Sequence, residues 1–354
     1  MSDRLQRLLD SRPWLLADGA TGTNFFAMGL ETGDPPELWN VDHPERVRAL
    51  HRGFVEAGAD ILLTNSFGGS SYRLKLHKAH DRVAELNRAA AALAREVADA
   101  AGREVVVAGS IGPTGEIFEP VGSLSLKDGT AAFAEQAQAL AAGGADALWV
   151  ETVSSVEELT AALAGAGTTG LPLVCTLSFD TNGRTMMGLT PAQLAELAQR
   201  LEPKPLAYGG NCGTGPAELM AVLLNLTAAG QAGDVVVAKS NCGIPEYIDG
   251  EIRYSGTPEL MADYARLACD AGVRIIGGCC GTTAEHVRAM REALEAHSPG
   301  ERPGLETVTA RLGQVSRGAE AGETGGPLGA RPEGATRRRG RRRRDGAADC
   351  APRF

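Results

Sequence analysis

The sequence predicts a (β/α)8 (TIM) barrel over residues 1–297, followed by a disordered Arg-rich C-terminal tail over 298–354. Three observations point there. Eight short apolar runs alternate with eight helix-like segments, most of the runs are apolar without alternation, and the composition changes near residue 300. A barrel of this kind needs roughly 250 residues, so one fits the body of the chain with little to spare. Continuous apolar runs suit parallel strands covered on both faces.

The strand-like runs are Trp14–Ala17, Ile61–Leu63, Val105–Ala108, Ala147–Val150, Leu173–Thr176, Leu206–Tyr208, Val235–Ala238 and Val273–Ile276. Between them, Pro44–Ala57, Leu74–Ala100, Asp128–Ala142, Ser155–Ala166, Pro191–Leu201, Pro216–Ala229, Pro258–Ala271 and Ala284–Ala296 carry apolar residues at helical spacing. Thr190-Pro191 and Thr257-Pro258 pair an N-cap with proline at the first helical position. Gly58, Gly143-Gly144 and Gly272 stand where helices end and strands begin, as C-capping glycines do. A doubly wound open sheet is the alternative, but it usually has fewer strands and a phosphate-binding glycine turn after the first.

The tail from 298 is rich in Gly, Pro, Glu and Arg, and such a segment buries too little apolar surface to offset its ordering entropy. From Glu301 onward it holds 12 Arg and 7 acids, a net +5, which leaves −14 of the chain's −9 on the body. An acidic body argues against nucleic acid as a specific partner of the folded part. No stretch reaches the ~18 apolar residues of a membrane span, and Met-Ser-Asp-Arg-Leu-Gln does not read as a signal peptide. The expected location is the cytoplasm, as a monomer or a homo-oligomer. Seven cysteines in a reducing compartment are not a disulfide framework, and the adjacent Cys279 and Cys280 suggest metal or thiol chemistry.

The polar residues that stand just after strand ends are the candidates for function, because a closed barrel gathers those ends on one face. They are Asp18, Asn65, Glu151, Cys212, Asn241, Cys242, Cys279 and Cys280. Three thiolates on Zn2+ leave one tetrahedral position open, as in a catalytic site. A substrate thiol entering that position would lose its proton at neutral pH and become a nucleophile. Spacing leaves Cys212 and Cys242 equal as third ligand, since each sits in an Asn-Cys-Gly turn. Cys175, Cys269 and Cys350 read as ordinary small residues. Asp18 and Glu151 suit an ammonium group, with helix N-capping as the alternative.

The motifs Asp18-Gly-Ala-Thr-Gly-Thr23, Ala57-Gly-Ala-Asp-Ile-Leu-Leu-Thr-Asn-Ser-Phe67, Gly109-Ser-Ile-Gly-Pro113, Gly210-Asn-Cys-Gly213 and Gly277-Gly-Cys-Cys-Gly-Thr-Thr283 together resemble the homocysteine S-methyltransferase family. That family includes betaine–homocysteine methyltransferase and the homocysteine-binding domain of cobalamin-dependent methionine synthase. The resemblance runs from Trp14 to Ala296. It implies a zinc-dependent enzyme that methylates homocysteine to methionine, with Cys212, Cys279 and Cys280 as ligands and Cys242 as a bystander. It also implies that Asp18 and Glu151 hold the substrate's amino group, that Asn65 and Ser110 lie in the substrate site, and that the Ser110–Gly112 amides face the carboxylate. Betaine is the implied donor. Two tyrosines of the animal enzymes' cation cage correspond here to Gly68 and Thr152, leaving Trp39, Phe67 and Tyr72 as cage residues. The rival donor is a methylated corrinoid on a separate protein, since the chain has no Asp-x-His-x-x-Gly motif.

Two other classes compete. A structural zinc protein would use Cys242 as a fourth ligand, and a thiol redox protein would act without metal. The run Arg337-Arg-Arg-Gly-Arg-Arg-Arg-Arg344 is either a solvated charge run or a docking segment for an anionic surface or an acidic protein.

Overall fold

Each of the eight apolar runs forms a parallel strand, and the strands curl into a barrel. The computed structural model describes residues 3–316 and 318, apart from 181, 249 and 250. Its strands are β1 (Leu15–Leu16), β2 (Ile61–Leu63), β3 (Val106–Ile111), β4 (Ala147–Val153), β5 (Leu173–Leu177), β6 (Ala207–Cys212), β7 (Val235–Ser240), β8 (Pro245–Ile248), β9 (Glu251–Tyr254) and β10 (Ile275–Gly278). Eight of them make one sheet in the order β1-β10-β7-β6-β5-β4-β3-β2, while β8 and β9 form a separate antiparallel hairpin. The sheet closes between β1 and β2, where Ala17 pairs in parallel with Ile61. The Asp60 amide donates to the Leu16 carbonyl at 2.6 Å, and the Asp18 amide to the Ile61 carbonyl at 3.0 Å.

Alternation along the strands divides two cores. Leu15, Ile61, Val106, Ala147, Val174, Ala207, Val237 and Ile275 point into the barrel with Trp149, and their neighbours pack outward under the helices. The helix Arg4–Ser11, which the sequence pattern did not reveal, closes the lower end by inserting Leu5, Leu8 and Leu9 into the inner cluster. These three lie at i, i+3 and i+4, one face of a helix.

The expected punctuation is present. Gly58, Gly144 and Gly272 have φ of 102°, 103° and 88°, the left-handed conformation that ends a helix before a strand. Thr190 and Thr257 accept from the backbone N–H three residues on, capping the helices Pro191–Ala198 and Pro258–Asp270. The segment expected as one helix over Leu74–Ala100 is broken instead. Ser71–Lys75 and Val83–Asp99 are separate helices, with Lys78 at φ 57° between them.

The described structure runs past the boundary expected at residue 297. Residues 298–316 are described, and the helix Leu305–Leu312 lies against Pro216–Ala229 and Pro258–Asp270. Val308, Leu312 and Val315 are buried, at a helical spacing that averaging over the Gly/Arg-rich remainder concealed. Glu218 accepts from the Ser316 amide at 2.6 Å. The Arg337–Arg344 run lies outside the described residues. Among the described residues no helix is long and apolar enough to cross a membrane.

Two Gly-Ala-Asp turns tie the bottom of the barrel together. Asp60, 1 % exposed, accepts from the Leu16 amide at 3.0 Å and pairs with Arg12 at 2.6 Å, Arg291 at 3.1 Å and Arg103 at 3.4 Å. Asp146 repeats the device, accepting from the Val107 amide at 2.9 Å and from Arg95 at 2.7 Å. Asp60 therefore clamps the strands that close the sheet. Asp60→Ala leaves an amide without its acceptor and three guanidinium groups without their shared anion. We expect a loss of about 3–5 kcal/mol in urea unfolding, as for breaking a buried ion pair. A loss below about 1 kcal/mol would mean that the seam does not depend on this carboxylate.

Candidate metal and substrate site

The strand order places β6 and β10 on opposite sides of β7, which brings residues 67 positions apart into contact. The sulfurs of Cys212, Cys279 and Cys280 all lie within 4.8 Å of one another, and those of Cys212 and Cys279 are 2.8 Å apart. All described cysteines are free thiols. Cys212 adopts φ 57°, and Gly213 and Gly281 adopt φ 77° and 78°, so the loops double back sharply beside the sulfurs. Hydrogen bonds from Cys212 and Cys279 push the Cys280 thiol down to about 3, while contacts with Cys279 and then Cys280, together with burial, push Cys212 up. The trio thus carries its first negative charge readily and resists a second. Three soft donors on one side of a cavity fit a zinc site with an open position.

Cys242 separates from this group. It is buried under Gly256, its thiol is pushed up to about 12 by burial, and its amide donates to the Cys280 carbonyl at 2.8 Å. Of the two cysteines that spacing left equal, Cys212 lies in the cluster with Cys279 and Cys280, and Cys242 braces it from outside.

Two asparagines that the sequence reading gave no role hold the cysteine loops. Asn211 donates to Thr152 Oγ1 at 2.7 Å and to Cys212 Sγ at 3.5 Å, and accepts from the Thr152 amide at 3.0 Å. Thr152 has φ 64°, an uncommon conformation for a β-branched residue, and sits in a bulge of β4 next to Glu151. Asn241 accepts from the Cys280 amide at 3.0 Å and donates to the Gly213 carbonyl at 2.6 Å, so one side chain links both cysteine turns. The repeated Asn-Cys-Gly was the available signal. From the β8–β9 hairpin, which sequence reasoning missed, the Tyr254 hydroxyl donates to Cys280 and its ring packs over Gly281.

A cavity of about 520 Å3 opens over the sulfurs, lined by Asn65, Ser110, Glu151 and Lys239 as well as the three cysteines. Ser110 Oγ donates to Glu151 Oε1. Burial pushes the Glu151 carboxyl up to about 7, helped by negative charge at Cys279 and Asp18 and opposed by Lys239 and Ser110. Asp18 departs from its expected place. It lies beneath the cavity with Oδ1 accepting from Lys239 Nζ at 2.7 Å and Oδ2 from the Leu63 amide at 2.8 Å. Lys239, 2 % exposed, is therefore the group that reaches the cavity. Burial alone would lower its pKa, but Asp18 and Glu151 raise it above the ordinary lysine value. Its signal in the sequence was a lone lysine ending the apolar run of β7, on the face of Val237.

The Ser110 and Gly112 amides are already engaged, by Thr64 Oγ1 at 2.9 Å and the Phe67 carbonyl at 3.0 Å, so they do not face a ligand as expected. Of the three cage residues, only Phe67 lines the cavity. Trp39 is buried against Phe25 with ring centroids 5.0 Å apart.

Residues 15–294 match the sequence profile of the homocysteine S-methyltransferase family. The chain belongs to that family. It is 31 % identical over 306 residues to the methionine synthase of Mycobacterium tuberculosis and 29 % identical to that of Mycobacterium leprae. These matches cover 81 % and 82 % of this chain but 25 % of each relative, so the chain spans about a quarter of their length. Among solved structures, the metallated form of the homocysteine methyltransferase MmuM from Escherichia coli superposes with a TM-score of 0.68 at 26 % identity. That match covers 82 % of this chain and 99 % of that one. The family match and the (β/α)8 barrel both agree with the sequence.

For this homocysteine S-methyltransferase family barrel, alanine at Cys212, Cys279 or Cys280 should abolish stoichiometric zinc binding, whereas Cys242→Ala retains it. Asn241→Ala should weaken zinc about 10–100-fold by loosening both loops, the usual cost of losing a group that orients ligands. Competition with a chromophoric chelator measures both, and zinc lost from Cys242→Ala would identify a closed, four-cysteine site.

Proposed function

We propose that the protein is a zinc-dependent methyltransferase that moves a methyl group onto the sulfur of homocysteine to form methionine, with betaine as donor, in the cytoplasm. The observation that carries this reading is the three-thiol cluster at the bottom of a cavity that also presents a buried carboxylate and a buried ammonium. Cys212, Cys279 and Cys280 would hold the zinc, which when bound supplies the Lewis acidity that keeps a thiol deprotonated at neutral pH. Asn211 and Asn241 fix the positions of those sulfurs. Glu151, aimed by Ser110, accepts the substrate's ammonium group, and Lys239, held by Asp18, faces its carboxylate. An amino acid gripped at both ends presents its sulfur to the trio in one orientation.

A second reading is the homocysteine-methylating part of a split methionine synthase, served by a methyl-corrinoid protein. It is favoured by the relatives, of which this chain matches a quarter. Methionine formation from homocysteine by zinc-loaded protein, with betaine, S-methylmethionine and methylcobalamin compared, tests both. Turnover with betaine that stops on chelation is expected. Turnover with methylcobalamin alone favours the second reading, and activity that survives chelation overturns the zinc assignment.

Glu151 also sets a pH dependence. Its proton must leave before an ammonium can bind, so affinity falls below pH 7 by up to about tenfold per unit. Methionine, whose thioether releases no proton, is the suitable probe. Its affinity for the wild type should fall on acidification through pH 7, and Glu151→Gln should bind more weakly with a flat profile. A sloping profile in Glu151→Gln would assign the proton elsewhere.

A further inference from the structure

The residue after Glu151 ties that acid to the thiols. Val150 faces Cys175 and Val153 faces Leu177, so three steps along β4 span two along β5. The extra residue makes the bulge that carries Glu151 at the cavity wall and leaves Thr152 at φ 64°. A β-branched residue keeps that conformation only where its surroundings impose it.

Asn211 imposes it. It stands one residue past Gly210, the last β6 partner of β5, on the inward face of β6 beside Lys239. From there its fully buried side chain reaches over the end of β5 to β4. Its Oδ1 accepts from the Thr152 amide at 3.0 Å, and its Nδ2 donates to Thr152 Oγ1 at 2.7 Å. The N–H at Thr152 fixes which end of the carboxamide is the oxygen. Nδ2 also donates toward the sulfurs, 3.5 Å from Cys212 Sγ and 3.9 Å from Cys279 Sγ. One amide thus holds the thiols at one end and the backbone beside Glu151 at the other.

The two ends respond to each other. An N–H donates more strongly to a thiolate than to a thiol, and a metal on the trio keeps its sulfurs as thiolates. The filled trio then holds Asn211 in the rotation that grips Thr152. Glu151, fixed on its other side by the Ser110 hydroxyl, keeps its aim. With the trio empty that hold slackens, and the strained bulge is free to relax. We infer that Thr152 and Asn211 are positioning residues that couple the metal site to the amino-acid site. Filling either one tightens the other, even for a ligand that makes no bond to the metal. The inference rests on the proposed zinc and homocysteine and adds a route between them.

Norleucine is the probe, because it offers an ammonium and a carboxylate on a chain without sulfur. Calorimetric titration of the reduced full chain, metal-free and zinc-loaded, gives its affinity in both states. Zinc should tighten norleucine at least about fivefold in the wild type, the lower end for coupled sites. Coupling is reciprocal, so chelator competition should show norleucine tightening zinc by the same factor. Thr152→Val, which removes the acceptor of the Asn211 N–H, should bring the factor close to unity, and so should Asn211→Ala. Thr152→Ser, which keeps the hydroxyl, should retain it. A residue that only supports the fold would weaken norleucine equally in both states; an unchanged factor in Thr152→Val and Asn211→Ala overturns the inference. Equal norleucine affinity with and without zinc in the wild type also overturns it, and leaves the proposed zinc chemistry standing. So does zinc-loaded protein that binds homocysteine but not norleucine, since the grip then comes from sulfur. Zinc-loaded protein that binds neither amino acid sinks the proposed function and the coupling together.

Discussion

The thiol cluster exists because β7 lies between β6 and β10 in the sheet. Cys212 ends β6, Cys279 and Cys280 follow β10, and β7 lies between them with its own Asn241 linking the two turns. Opening the sheet at its β1–β2 seam would leave β10 between β1 and β7 but break the ring of loops that surrounds the cluster. Closure in turn relies on a two-residue strand, β1, paired to β2 through a single bridge and a buried aspartate. The chemistry at the top of the barrel therefore depends on electrostatics at the bottom. Asp60 ties the closing strands below while the cysteines, some 150 to 220 positions later, are gathered above.

Charge balance organises the cavity. Three thiols and two carboxylates crowd its floor, and the cation reaching them there is Lys239, supported by Asp18 from beneath. A fully buried ion pair of this kind contributes little to net stability, because desolvation offsets attraction. Its consequence is electrostatic: it places an ammonium at the floor of the cavity beside Glu151, while Asp18 stays beneath. The two carboxylates that look equivalent along the chain thus divide into one that lines the cavity and one that holds a lysine.

How much of this was legible follows from what kind of signal each element leaves. Strands and helices that repeat in register, such as β3 to β7 and the Thr-capped helices, declare themselves by apolar runs and punctuation. The cysteine trio is legible because its residues stand at strand ends on glycine turns. Elements that occur once leave no pattern. The plug helix Arg4–Ser11 shows only three leucines, the hairpin β8–β9 carries no apolar run, and the docked helix Leu305–Leu312 is diluted by the residues after it. Pairings across the barrel leave no trace either. Asp18 and Lys239 are 221 positions apart, so nothing local could reveal that one neutralises the other.

The same reasoning explains why Glu37 was invisible and why it matters. In sequence it is one acid in a Pro-Pro-Glu turn, and half-buried turns commonly carry an acid at their surface. Its surroundings change the meaning: Asn65 and Asn40 fix the turn, Gly68 yields it space, and the aromatic walls exclude the water that would otherwise solvate it. The carboxylate is held there by the Gly68 amide, as Glu158 is held by the Thr114 amide and hydroxyl. The fold satisfies the comparable acids Asp18, Asp60 and Asp146 with lysine or arginine at 2.6–2.7 Å, and it leaves Glu37 without one. Among the six buried acids of the described residues the barrel thus uses two devices, cations for Asp18, Asp60 and Asp146 and neutral donors for Glu37, Glu151 and Glu158.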